Sequence, residues 1–393
     1  MLFTTAFQNS TFSQWLPTTG SAYTCNAIFF PDTSTGYAVG VSLVKSIDGG
    51  NTWNSLNTPA NEEDESIWFE DDNKGIVVGG ISDDPIVKST TDGGQNWKDI
   101  TSPFLKNKAN ELFFLNIDTG FVVGDSGSIS STYNGGNTWN NVAYGGNANL
   151  NDLYFLGDSI GLVVGNSGTL YKTLDAGKNW SAINIQTMAN LNSIHFVNKL
   201  VGYIAADSGY IFETFDAGQN WQILNSTTQE NLYAIHFTNT DTGFCVGNNG
   251  TILKTIDGGI NWQKQSSGTI NKLNCTYARW SKLAVAAGEN GTILKTTNGG
   301  ELNSKINESL NADNSTVLFH REGNFLIIES KENVSLLELE IIDASGRKLI
   351  STTIKNSNHY SLNLNTLTIS TGVYTISIIG KDFKKYAKYF IEK

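Results

Sequence analysis

Cysteine, proline, arginine and long apolar runs are all scarce in this 393-residue chain. Three cysteines, Cys25, Cys245 and Cys275, leave at least one thiol unpaired within a monomer, so disulfides are not the staple of the fold. No apolar run reaches the ~18 residues that a membrane helix needs, and no membrane span is expected. Basic charge is short as well. Residues 1–300 hold 15 Lys plus Arg against 26 Asp plus Glu, while residues 301–393 hold 11 of each. The whole formal charge of -11 therefore sits on the first part of the chain. That excludes nucleic acid and anionic lipid as partners, since both need a basic face that releases counterions. No Ser-His-Asp pattern, phosphate loop or Cys/His metal spacing is visible, so no catalytic residue, cofactor or metal site is expected.

What the sequence does have is glycine, aromatic residues and a repeat. The stretch Lys254 to Trp262, Lys-Thr-Ile-Asp-Gly-Gly-Ile-Asn-Trp, is an Asp-box, and its acidic or amide residue recurs as Asp48, Asp92, Asn134, Asp175, Asp216, Asp257 and Asn298. The steps are 44, 42, 41, 41, 41 and 41 residues. A period of about 40 residues with several short strands is that of a propeller blade, which cannot bury both its faces without neighbours. Seven copies predict an all-β, seven-bladed β-propeller.

Between the boxes a buried strand repeats between small residues, as in Gly161-Leu-Val-Val-Gly165 and Gly243-Phe-Cys-Val-Gly247. Each unit reads as four strands. The turn joining the second to the third is Asn166-Ser-Gly168, Asp207-Ser-Gly209 or Asn248-Asn-Gly250, where Gly and Asn tolerate the positive φ of a tight hairpin. The box turns the third strand into the fourth. Its carboxylate is suited to accept the N–H groups of its own turn, and its Trp to fill the space between sheets, which makes the box structural.

Six boxes are followed by their tryptophan, Trp53, Trp97, Trp139, Trp180, Trp221 and Trp262, whereas the seventh is followed by Glu301-Leu-Asn and has none. Trp15, conversely, has no box. The economical expectation is that residues around Thr11 to Pro17 supply the outer strand of blade seven and close the ring, which removes an exposed sheet edge. Residues 1–13 have the composition of the end of a signal peptide without its basic start.

Aligning the first strands brings Phe29, Trp68, Phe113, Tyr154, His195, His236 and Tyr277 to one equivalent position, a ring for which core packing is the simplest expectation. Two histidines alone are a poor zinc site. Blade two is unusually acidic, with Glu62 to Glu65, Glu70 to Asp72, and Asp83-Asp84; a solvated acidic surface is expected there, with calcium as the alternative.

Residues 14–300 thus form the propeller and 301–315 a polar linker. Residues 316–393 form a second domain of strands without boxes, expected to be a small antiparallel β-sandwich. Within it Ile341-Ile-Asp-Ala-Ser-Gly-Arg-Lys348, Thr371-Gly-Val-Tyr-Thr-Ile-Ser-Ile378 and a Lys-rich last strand resemble the type A C-terminal sorting domain of the type IX secretion system. That resemblance implies handling by the type IX secretion machinery of a Bacteroidota-like bacterium and delivery to the outer cell surface or the medium. The usual Pro-Asn-Pro entry is replaced here by Phe319-His-Arg-Glu-Gly323.

The propeller resembles the Asp-box propellers of the photosystem II stability and assembly factor family, on the wording Gly250-Thr-Ile-Leu-Lys-Thr255 and Gly291-Thr-Ile-Leu-Lys-Thr296. That family presents a basic patch. This propeller has one arginine, Arg279, so the likeness extends to blade design and not to a site.

Two functional classes follow. One is a secreted or surface-exposed, non-catalytic propeller that binds a protein or glycan partner, with an assembly-factor-like scaffold as a variant. The other is a glycoside hydrolase, since sialidases and xyloglucanases also carry Asp-boxes. A sialidase site needs an arginine cluster that grips a carboxylate bidentately. A xyloglucanase cleft needs two propellers with a carboxylate on each side of the scissile bond. Neither is present, and no carboxylate pair stands out from the repeat. The non-enzymatic reading is therefore preferred, with recognition assigned to the face of the second-to-third turns and the blade connections Asn54 to Asp64, Lys98 to Asn110 and Asn140 to Asn149. The Asp-box face is expected to be nearly uniform.

Overall fold

The computed structural model describes residues 15–19, 23–56, 63–81, 84–100, 107–142, 146–279 and 283–299, together with strands between 317 and 391. The chain divides into two units, Met1–Glu301 and Leu302–Lys393.

The first unit holds seven four-stranded antiparallel sheets. Blade five is representative: Leu191–Phe196, Gly202–Ala206, Ile211–Thr214 and Gln222–Leu224 pair in chain order. The first strand of each blade packs against the first strands of both neighbouring blades, and the series closes between Leu273–Arg279 and Cys25–Phe29. Every first strand also carries a bulge, in blade five between Leu191 and Ser193. The bulge takes Asn192 out of the ladder, and its side chain turns toward the next blade.

Blade seven contributes only three strands from its own stretch, Leu273–Arg279, Leu283–Gly288 and Ile293–Thr296; its fourth is Leu16–Pro17 from the N-terminus. Leu16 lies opposite Lys295 and Pro17 opposite Leu294, and the Thr18 N–H donates to Ile293 O at 2.9 Å. The same segment then reaches blade one, where the Trp53 N–H donates to Thr19 O at 2.9 Å. The two ends of the propeller stretch are thereby tied, and the edge of Ile293–Thr296 is covered.

Blades meet through apolar clusters that each span two sheets. Leu162, Val164 and Leu170 of blade four pack with Ile194, Phe196 and Ile204 of blade five. The second strand is buried along its whole length in every blade apart from its outermost residue in blades two and seven, because sheets cover both its faces.

The second unit comprises two antiparallel sheets. One orders Val317–Glu322, Phe325–Val334 and Ser357–Asn363. The other orders Lys348–Ile354, Leu337–Asp343, Gly372–Ile379 and Lys384–Ile391. The N-terminal residues 1–13, the linker 301–315 and parts of the three long connections in blades one to three lie outside the described residues.

Candidate functional site

The Asp-box works as a self-contained turn. In blade four the Thr173 hydroxyl donates to Asp175 Oδ1 at 2.9 Å and accepts the Gly177 N–H at 2.9 Å. Asp175 also accepts the Asn179 N–H on Oδ1 and the Asn179 side-chain amide on Oδ2, at 2.9 and 2.7 Å. Asp48, Asp92, Asp216 and Asp257 hold their turns the same way. Asn134 accepts the Thr138 N–H at 3.0 Å, and Asn298 accepts from the Thr296 hydroxyl at 2.8 Å. The amides of Asn179 and Asn96 hold the carboxyls of Asp175 and Asp92 down to about 2, so both stay ionised as structural acceptors.

Each box tryptophan meets the Phe that ends the first strand of its own blade, edge to face. The pairs are Trp53 with Phe30, Trp97 with Phe69, Trp139 with Phe114, Trp180 with Phe155, Trp221 with Phe196 and Trp262 with Phe237, at centroid separations of 5.8 to 6.2 Å. Trp15 is fully buried at the corresponding place beside blade seven, where the first strand offers Ala278 instead of Phe; it meets Phe244 of blade six at 5.7 Å.

Around the axis the first strands build three tiers. At the loop-face end, Asn26, Asn110, Asn151, Asn192 and Asn274 each donate to a carbonyl of the next blade, for example Asn192 to Leu232 O at 2.8 Å. Blades two and six lack the asparagine. There Glu65 pairs with Lys108, and the Lys272 ammonium sits 3.9 Å from the Tyr233 ring centre. The acidic stretch of blade two is thus only partly a solvated surface: Asp64 is buried and Glu65 is engaged. Among the described residues no three His, Cys, Asp or Glu side chains are grouped to hold a metal.

The middle tier holds Ala27, Ser66, Glu111, Asp152, Ser193, Ala234 and Cys275. Here the structure departs from the sequence reading, because Glu111 and Asp152 do stand out as a carboxylate pair on adjacent blades. Both are half-buried on the first strands of their blades. The Ser66 hydroxyl donates to Glu111, which also accepts the Leu112 N–H at 2.9 Å. Asp152 accepts the Ile194 N–H of blade five at 2.8 Å and the Leu153 N–H at 2.6 Å. Burial raises both carboxyls well above the usual carboxylate range, and the Asp152 charge adds to the effect on Glu111. Equivalent positions in adjacent blades were the available signal, and only aligning the first strands exposes it.

The lower tier is the aromatic ring. Consecutive contacts run from Phe113 to Tyr154, His195, His236, Tyr277 and Phe29 at 4.4 to 6.4 Å. These side chains are half-buried, and Phe29, Phe113, Tyr154 and Tyr277 pack against the apolar clusters between blades, in line with the packing role expected. Their polar atoms largely serve the blades: the Tyr154 hydroxyl donates to Phe196 O and the Tyr277 hydroxyl to Phe30 O, both at 3.1 Å. Burial lowers the pKa of both histidines, so they are neutral at physiological pH.

On the loop face the glycines of the second-to-third turns take the positive φ expected of them, as at Gly168 and Gly209, and in three turns the serine before the glycine takes it as well. Ser126, Ser167 and Ser208 have φ of 53, 57 and 59°. Their N–H groups donate to Asn149, Asn190 and Asn231 at 2.9 to 3.0 Å, which offsets the strain of the left-handed region. The connections between blades four and five, five and six, and six and seven share one scaffold and present Met188, Gln229 and Ile270 at the equivalent point. Met188 is 80% exposed and Ile270 83%. The Asp-box face differs from the expected uniformity: the residue before the box acid is solvent-facing in every blade and varies in chemistry, from Thr91 to Phe215.

Comparison with known proteins places this geometry. Residues 103–224 and 220–318 match the family model described as "Photosynthesis system II assembly factor YCF48", and residues 322–392 match "Secretion system C-terminal sorting domain". No curated protein matches. Among solved structures, YCF48 bound to a D1 peptide is 19% identical, with a TM-score of 0.62 over 73% of this chain and 96% of that one. YCF48 from Cyanidioschyzon merolae is 18% identical, with a TM-score of 0.60 over 72% and 98%. PorZ, a surface component of the type-IX secretion system of Porphyromonas gingivalis, is 12% identical with a TM-score of 0.55; it covers 94% of this chain, which spans 59% of PorZ. At these identities the structures speak for the fold alone. The sorting domain marks the chain for export to the cell surface or beyond, and no helix among the described residues is long and apolar enough to cross a membrane. With family matches over more than half its length and seven Asp-box blades, the chain belongs to the photosynthesis system II assembly factor YCF48 family.

Proposed function

We propose that this protein is a non-catalytic binding propeller, carried out of the cell by a type IX secretion system, whose loop face takes a protein or glycan partner. The observation that carries the reading is the placement of Met188, Gln229 and Ile270 at one point of a shared, hydrogen-bonded scaffold. Different chemistry on a constant frame is how a rigid surface acquires specificity. The Ser226 hydroxyl donates to Gly209 O, and the Thr228 N–H donates to the Asn225–Thr227 turn through Ser226, so the frame is built and not slack. That a solved YCF48 binds a peptide supports a protein partner over a glycan.

The hydrolase reading draws on Glu111 and Asp152, since an acid held protonated beside a second carboxylate is the equipment of glycoside hydrolysis. Each accepts the N–H of the next residue in its own strand and one donor from a neighbouring blade, the Ser66 hydroxyl for Glu111 and the Ile194 N–H for Asp152, which favours a structural role. The test is a partner screen with the full chain and with a Met188→Asp, Ile270→Asp variant, alongside polysaccharide hydrolysis by native protein and Glu111→Gln. Expected are capture of a partner that the double variant loses and no turnover by either form. Turnover abolished in Glu111→Gln would replace the binding reading.

A further inference from the structure

A second surface lies on the opposite side of the propeller from the loop face. The residue immediately before the box acid is exposed in all seven blades, and in five it is large and apolar: Ile47, Tyr133, Leu174, Phe215 and Ile256, 54 to 70% exposed. The box has no use for these side chains, since its turn is built by the Thr or Ser hydroxyl, the acid, the glycines and the Trp. Threonine fills the position in blades two and seven, so apolar character is not imposed by the turn. Single exposed apolar residues are ordinary, but recurrence at one position of a ring is not.

The loop that joins the first and second strands lies beside each box and enlarges the patch. In blade five the Ala217 N–H donates to Leu200 O at 2.9 Å, which sets exposed Leu200 next to Phe215. In blade three the Gly135 N–H donates to Asp118 O at 2.9 Å, which sets exposed Ile117 near Tyr133. In blade six Ile260 is exposed within the same box as Ile256.

Charge selects the occupant. Those loops carry Asp32, Glu70, Asp71, Asp72, Asp118, Asp158 and Asp241 in blades one to six, against Lys74 and Lys199. The boxes themselves are nearly balanced, with five aspartates and Glu213 against Lys45, Lys172, Lys178, Lys254 and Lys295, so the acidic excess lies in the loops. We propose that the Asp-box face docks a cationic amphipathic protein segment, in which lysine or arginine alternates with apolar side chains. Apolar residues meet the exposed ring positions, and the cations meet the carboxylates between them. An anionic membrane surface is repelled by the same carboxylates.

The experiment uses the full chain and three synthetic probes: a Lys-Leu repeat peptide, a Glu-Leu repeat and a Lys-Ser repeat, with binding read by fluorescence anisotropy at low and at physiological salt. The Lys-Leu peptide should bind more tightly than both comparators. The variant Leu174→Ser, Phe215→Ser, Ile256→Ser should weaken it at least about tenfold, since three exposed apolar contacts are removed without touching a core. Met188→Ser, Ile270→Ser on the loop face should leave it unchanged, which keeps this surface separable from the one proposed above. Equal binding of the Glu-Leu or Lys-Ser peptide, or an unweakened triple variant, overturns the proposal.

Discussion

Glu111 and Asp152 show what a ring of near-identical units does to its central residues. Ala27, Ser66, Glu111, Asp152, Ser193, Ala234 and Cys275 occupy one position, and no residue type recurs enough for a repeat search to single it out. The box acids, by contrast, are legible because all seven solve the same local problem, with Asn134 and Asn298 accepting where a carboxylate accepts elsewhere. Burial, followed by the charge of Asp152, raises the Glu111 carboxyl well above the ordinary carboxylate range, and burial raises that of Asp152. Groups raised in the folded state contribute stability that is complete below the ordinary carboxylate range and is lost as pH climbs through their folded values. Thermal stability should therefore fall as pH rises from about 4, the ordinary carboxylate value, into the neutral range, and Glu111→Gln should flatten that fall. Melting curves of the two proteins across this range check it, and parallel pH profiles would contradict it.

The blade owes its regularity to a three-residue interlock. The Phe that ends the first strand lies over the Gly that opens the second, and the box Trp closes on the Phe edge. A Cβ on Gly161 would stand 2.6 Å from the Phe155 ring, which is held by Phe121 stacked at 4.5 Å and by Trp180 edge to face at 6.2 Å. Gly161→Ala should cost about 1–3 kcal/mol, as overpacking a filled core does. Chemical denaturation measures it, and an unchanged midpoint would mean that the ring simply swings aside. Glycine and tryptophan of this interlock were legible as repeats. Phe30, Phe69, Phe114, Phe155, Phe196 and Phe237 recur in six blades as well, but each follows directly on the position of the aromatic ring, and two adjacent large side chains do not reveal in sequence which of them meets the Trp. The bulge at the start of each first strand shifts the alternation of its side chains, and a bulge leaves no mark in hydrophobic periodicity.

At the scale of the molecule the ring is closed by its own beginning, as the missing seventh Trp and the unboxed Trp15 suggested. Trp15 is wholly buried against Phe244, Leu273 and Leu294, so Trp15→Ala should destabilise the propeller by about 3–5 kcal/mol. A melting temperature equal to that of the native protein would show that the closure carries little energy. The second unit was legible from three ordered motifs, and its match to the sorting domain over residues 322–392 gives the chain its destination. A partner leaves no such motif, since the loop face differs in each blade by design.

Residues 316–393 are expected to deliver a propeller whose seven blades are complete without them. Cells of a type IX-secreting bacterium expressing the full chain and a chain lacking these residues are fractionated into periplasm, surface and medium. The full chain should be found at the surface or in the medium, and the shortened one should accumulate, folded and protease-resistant, in the periplasm. Shortened propeller outside the cell in normal amounts would contradict the account.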